Sequence, residues 1–80
     1  MNRHQQAEIG QALRRMRVAA QLTIDGLADD AKVSPSQISR VENGHCRPTE
    51  RWMARVTVSI GAAMTRHASA DSHTDLGVSA

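Results

Sequence analysis

The strongest structural signal in the sequence is a helix start and a helix stop that lie ten residues apart. Ser34 is a favourable N-cap, Pro35 suits the first helical position, and Gln37 can complete a capping box with Ser34. Gly44 is the residue type expected in left-handed conformation just after a helix. A helix of about nine residues is too short to be stable alone in water. The chain must therefore fold by packing several short helices together.

Helical spacing of apolar residues predicts two helices before this one. The first runs from about Gln6 to Ala20, and its apolar stripe consists of Ile9, Leu13, Met16 and Ala20. The second begins after Thr23, a good N-cap, and Gly26 makes it marginal without tertiary support.

A fourth helix is predicted to open at Pro48 and Thr49 and to continue to about Gly61. Its apolar stripe consists of Met53, Val56 and Ile60, and Trp52 lies one position off that stripe. From about residue 65 to residue 80 the sequence is polar and small, which predicts a flexible C-terminal tail. Residues 1–64 are therefore predicted to form one domain, and residues 23–44 are its central motif. The expected fold class is all-α, a small bundle of four or five helices.

Composition removes several classes of protein. Eighty residues suffice for one small domain, and the single aromatic residue, Trp52, argues against binding of single strands, which stack bases on several rings. No apolar run is long enough to span a membrane, so a soluble, cytoplasmic protein is expected. The lone Cys46 cannot form an internal disulfide. His45 and Cys46 together are too few ligands for a metal, so no cofactor is predicted.

The charges are unevenly placed although the net charge is only +2. Residues 1–20 contain four arginines against one glutamate, and residues 32–55 contain five basic residues against two acidic ones. Three aspartates lie between these segments: Asp25, Asp29 and Asp30. Such a distribution suits a protein with one anion-facing side, although a mixed solvated surface would also show it.

Two short helices joined by a tight turn are typical of a helix-turn-helix. The stretch from Ile9 to Gly61 resembles the lambda-repressor-like, Cro/cI-type helix-turn-helix domain of the XRE family. The residues that carry this resemblance are Leu27-Ala28 in the second helix, Val33-Ser34 in the turn, Ile38-Ser39 in the third helix, and Val41-Glu42-Asn43-Gly44 followed by Pro48. The resemblance implies that Arg17 and Glu42 form an ion pair between the first and third helices. It also implies that Asn43 bonds a DNA phosphate. In this family glycine is commonest at the turn position of Lys32, so the resemblance implies a left-handed lysine there at a cost of about 1 kcal/mol.

Helix geometry selects the candidate base readers. Because Ile38 and Val41 must face inward, the outward side of the third helix carries Pro35, Ser36, Ser39 and Arg40. An α-helix fits the major groove, and a guanidinium can bond O6 and N7 of guanine together, so Arg40 is the strongest candidate for direct readout. A phosphate contact or a solvated arginine is the alternative. The candidate phosphate contacts are Gln21, Gln37, Asn43, His45 and Arg47.

The expected function is sequence-specific binding of double-stranded DNA by a transcriptional regulator, most simply a repressor. One short helix reads too few base pairs for a genomic site, so a homodimer on a palindromic operator is expected. The predicted pairing surface is the part of the fourth helix that carries Trp52, Val56, Ser59 and Ala63. The alternative is a monomer whose Trp52 covers its own core.

Two other functions are consistent with the sequence. An antitoxin-type regulator would hold a protein partner through the fourth helix or the tail. A helical interaction module without DNA binding would use an apolar patch made of Trp52, Met53, Val58 and Met64. An enzyme is not expected, because the sequence has no phosphate-binding glycine loop, no HExxH motif and no paired carboxylates whose environments would separate their pKa values.

Overall fold

The computed structural model describes the backbone of residues 2–79 and side chains up to Ala68. Four helices follow in order: α1 (Arg3–Ala19), α2 (Ile24–Ala31), α3 (Pro35–Glu42) and α4 (Glu50–Ser79). No strand occurs within residues 2–79, so the predicted all-α fold class is confirmed. Among those residues, no helix has both the length and the apolar character that crossing a membrane requires.

Side-chain caps define where the helices begin. Thr23 and Ser34 accept hydrogen bonds from the backbone N–H groups of Gly26 and Gln37, at 2.9 and 3.4 Å, as their N-cap assignments predict. The start of α1 differs from the prediction, because Asn2 and Gln5 form a reciprocal capping box with bonds of 2.8 and 3.0 Å. Helix α1 therefore begins at Arg3 rather than near Gln6.

The turns that flank the short helices use left-handed backbone conformations. Gly44 has φ +74° after α3, as expected for its residue type. Lys32 has φ +59° between α2 and α3, so the predicted left-handed lysine is confirmed. Gln21, in the turn before α2, also has a positive φ of 61°. These sharp turns let α2 and α3 follow α1 with only a few connecting residues.

The core is aliphatic apart from one tryptophan. Its buried apolar residues are Leu13, Ala20, Leu27, Ala28, Ala31, Ile38, Val41, Trp52, Val56, Ile60 and Ala63. Two details of the predicted stripes are wrong. Met16 is 37% exposed, because its turn of α1 presents Arg17 to the interior instead. Trp52 is buried on the core side of α4, whereas Met53 is only partly buried beside it.

Burial of α4 excludes the predicted pairing surface. Trp52, Val56, Ser59 and Ala63 are all buried within the single chain, so they cannot form a dimer interface without unfolding it. The apolar patch that a protein-interaction module without DNA binding would use is also not a continuous exposed surface. Only Val58 and Met64, two of its four residues, are exposed.

Helix α4 is longer than the sequence predicts. Its backbone remains helical to Ser79, past the expected end near Gly61. Ala62 and Ala63 continue the helix without an intervening turn, so the described backbone contains no separate fifth helix. The predicted flexibility of residues 65–80 is a statement about motion, which the helix bounds do not test, so it stays a prediction. Ala80 lies outside the described residues.

Candidate nucleic-acid interface

Helix α3 packs against α1 and α2 through its own apolar residues. Ile38 and Val41 are fully buried, and Glu42 is nearly so. These three residues lie on one side of the helix because they are spaced by three and four positions. The opposite side of α3 is therefore the one that a ligand can reach.

This outward face of α3 is made of small polar residues and one arginine. Pro35, Ser36 and Arg40 are exposed, and Ser39 is half-buried at the edge of the face. The structure thus brings the four predicted base readers together on the outward face of α3. The hydroxyl groups can donate or accept hydrogen bonds, and the guanidinium supplies several donors in a plane. Nothing in this set resembles a catalytic pair or a metal-binding cluster.

The end of α3 is closed by its own hydrogen bonds. Asn43 donates from Nδ2 to the carbonyl oxygen of Ser39 at 2.8 Å, and the backbone N–H groups of Asn43, Gly44 and His45 bond the last turn of the helix. The second N–H of this nitrogen faces the hydroxyl oxygen of Ser39 at 3.4 Å, a long hydrogen bond that a phosphate oxygen can replace. The side chain is exposed, as that contact requires.

The remaining predicted phosphate contacts lie in α3 itself and in two of the connecting segments. His45 and Arg47 are exposed in the loop between α3 and α4, and Gln21 is exposed in the turn before α2. Gln37 is half-buried, and its backbone N–H is bonded to Ser34. The reverse half of that predicted capping box does not form among the described hydrogen bonds, which leaves the Gln37 side chain available for other partners.

An ion pair fixes the position of α3 relative to α1. Arg17 donates from Nε to Oε2 of Glu42 at 2.7 Å and from Nη2 to Oε1 at 3.1 Å, which is a bidentate geometry. Its Nη1 also donates to the carbonyl oxygen of Leu22 at 2.8 Å, just before α2. The two side chains are 11% and 5% exposed. One guanidinium therefore joins three segments of the bundle behind the outward face.

Gly10 is a residue of this arrangement that the sequence patterns did not single out. A β-carbon at this position would lie 2.7 Å from the carbonyl oxygen of Glu42 and still nearer that of Val41. Only glycine allows α1 to approach the end of α3 so closely. The available signal was an isolated glycine inside a helical pattern, since such a residue usually has a packing reason.

Within the described part of the chain, His, Cys, Asp and Glu side chains form no group of three or more that could hold a metal ion. Cys46 is half-buried in the loop beside exposed His45.

Comparisons with known proteins agree with this fold. The family model described as a helix-turn-helix domain matches residues 8–70. Among solved structures, the chain is similar to the clp gene regulator ClgR from Corynebacterium glutamicum, with a TM-score of 0.60 and 22% sequence identity. The match covers 89% of this chain and 87% of that one. At this identity the likeness establishes the fold alone. No curated protein matches the chain.

Proposed function

This chain belongs to the helix-turn-helix domain family, whose members are DNA-binding transcription regulators, and we propose that it recognises specific duplex sequences with α3 in the major groove. The observation that carries this proposal is the outward face of α3. It combines two serines and one arginine on a short exposed helix that is anchored from behind. The major groove, about 12 Å wide, admits a helix of this kind.

Two sets of residues make different kinds of contact with DNA. Pro35, Ser36, Ser39 and Arg40 face the base edges, and Arg40 bonds a guanine. Around them, the phosphate contacts set the position of α3 without reading sequence, and they comprise Gln21, Gln37, Asn43, His45 and Arg47. The exposure of all of these phosphate candidates except half-buried Gln37 supports this division. We also propose a cytoplasmic location, because a regulator of this kind must reach the duplex DNA that it binds.

Substitution of Arg40 and Arg47 separates sequence readout from phosphate binding. Arg40→Ala should weaken binding to the operator by about 1–3 kcal/mol and relax the preference at one base pair. Arg47→Ala should weaken binding to all duplexes alike and lower the salt slope by about one unit, because one phosphate contact is lost. Fluorescence anisotropy would measure both, using an operator selected from random duplexes, a scrambled duplex and two salt concentrations.

The two variants serve as controls for each other, since each removes one exposed arginine. A uniform loss of affinity for Arg40→Ala on operator and scrambled DNA would show that Arg40 contacts a phosphate. Readout would then depend on the serines or on DNA shape. If the folded protein bound no duplex at all, the proposed function itself would be wrong.

Recognition of a genomic site requires two copies of this domain. Helix α3 has eight residues and contacts only a few base pairs, whereas a genome offers about 10⁶ or more competing sites. We therefore place a two-fold dimer on a palindromic operator, with half-sites about 34 Å apart, or one DNA turn. The pairing surface must lie outside the buried residues of α4, and exposed Val58 and Met64 are available for it.

Analytical ultracentrifugation of the protein with the selected operator should show two chains on each duplex. A half-site duplex is the control and should bind one chain with much lower affinity. A tight complex of one chain with one full operator would contradict the dimer. A dimer bound at the operator would block polymerase, so repression is the simplest regulatory outcome.

A further inference from the structure

Helix α1 carries basic residues that the helix-turn-helix itself does not explain. Of its four arginines, Arg17 is engaged in the ion pair, and Arg3, Arg14 and Arg15 are exposed. Among the residues whose side chains the structure describes, neither Arg14 nor Arg15 forms an ion pair. Adjacent residues on a helix point about 100° apart, so these two arginines face different surroundings.

The contacts of α1 define which of its sides faces α3. Gly10 lies against the carbonyl groups of Val41 and Glu42, and Arg17 bonds the Glu42 carboxylate. Ala7, one helical turn before Gly10, lies close to Gly44. A β-carbon added to Gly44 would lie 3.1 Å from the α-carbon of Ala7. Residues 7, 10 and 17 therefore lie along one edge of α1, beside the end of α3.

Arg14 belongs to this same edge. It follows Gly10 by four positions and precedes Arg17 by three, and residues at these spacings are neighbours on one side of a helix. Arg15 is one position further round, away from α3. Because Arg14 is exposed, its long side chain leaves the α1–α3 junction toward solvent. At that junction α3 presents Glu42 inward and Asn43 outward, so Arg14 lies on the flank of the outward face.

We propose that Arg14 contacts a DNA phosphate, so that the interface extends from the helix-turn-helix onto α1. This inference rests on the proposed function, since it takes the outward face of α3 as the side that meets DNA. Asn43 is the C-cap of α3 and adjoins Gly44, which α1 approaches closely at Ala7, so a phosphate bound by Asn43 would lie near the edge of α1 that carries Arg14. Arg47 contacts the sugar-phosphate backbone of the DNA from the loop after α3.

A matched pair of substitutions tests this contact. Arg14→Gln and Arg15→Gln remove the same charge from adjacent exposed positions of one helix. Arg14→Gln should weaken binding of both operator and scrambled duplex by about five-fold at 0.15 M salt and lower the salt slope by about 0.9. Arg15→Gln should change both quantities much less. Arg14→Lys should restore most of the slope, because the ammonium group keeps the charge.

Thermal unfolding of each variant separates this role from a structural one. A cation near the end of α3 could instead stabilise the helix dipole. Equal losses of affinity for the two glutamine variants would overturn the proposal, since they would indicate only a general charge effect. An unchanged Arg14→Gln affinity, or a lower melting temperature with unchanged affinity of the folded protein, would also overturn it. In those cases the wild-type protein still binds duplex DNA, whereas absence of any binding would defeat the proposed function as well.

Discussion

Replacing Arg17 with alanine is expected to lower the free energy of unfolding by about 3–5 kcal/mol, because it leaves the buried Glu42 carboxylate without its partner. The change also removes the hydrogen bond to the Leu22 carbonyl oxygen. A domain of this size has a total stability of roughly 4–12 kcal/mol, so the variant should be close to unfolding at 37 °C. Urea denaturation followed by far-UV circular dichroism would measure the loss.

A double-mutant cycle identifies the pair as the cause. Arg17→Ala and Glu42→Ala should each be strongly destabilising, and the double variant should be less destabilised than the sum of the two. Replacing both residues with apolar ones of similar size, as in Arg17→Met with Glu42→Leu, should recover much of the stability. If Arg17→Ala kept its melting temperature and lost only DNA affinity, the arginine would be a DNA contact instead.

The boundaries of the short helices could be predicted because local chemistry determines them. Ser34 and Pro35 start α3, and Gly44 ends it, whatever the rest of the chain does. The start of α1 was missed although it is also local. Asn2 caps the helix with Gln5, but neither residue adjoins the apolar stripe from which the prediction began.

The identity of the buried face was harder to predict, because it depends on which neighbours cover a helix. Trp52 and Met53 are adjacent, and spacing from Ile60 favours Met53. In the folded chain α4 packs mainly on α2, and this places Trp52 rather than Met53 in the core. Met16 was misplaced for the same reason, since Arg17 takes the interior position on that turn of α1.

The outward face of α3 could be predicted since its two buried anchors leave little choice. Ile38 and Val41 fix the rotation of the helix, and Ser36 and Arg40 follow on the other side. The position of Arg14 could not be derived in this way. It depends on the close approach of α1 to α3 at Gly10, which is a tertiary contact that only the structure reveals.

Replacing Gly10 with alanine is expected to destabilise the fold by at least about 2 kcal/mol, although alanine is the better helix former by about 1 kcal/mol. The added β-carbon meets the backbone carbonyl groups of Val41 and Glu42, which no change of rotamer can move aside. Helix α1 would have to withdraw from α3. That movement would also lengthen the Arg17–Glu42 hydrogen bonds.

Gly61→Ala is the matched control for this prediction. Gly61 lies inside α4, and a β-carbon there would meet no atom within 4 Å. Alanine should therefore raise the unfolding free energy by about 0.5–1 kcal/mol through helix propensity alone. The opposite signs of the two changes, measured by urea denaturation under the same conditions, isolate the steric contact at Gly10. A stabilising Gly10→Ala, equal to Gly61→Ala, would show that α1 does not pack closely on the end of α3, and the placement of Arg14 beside the DNA-facing side would lose its basis.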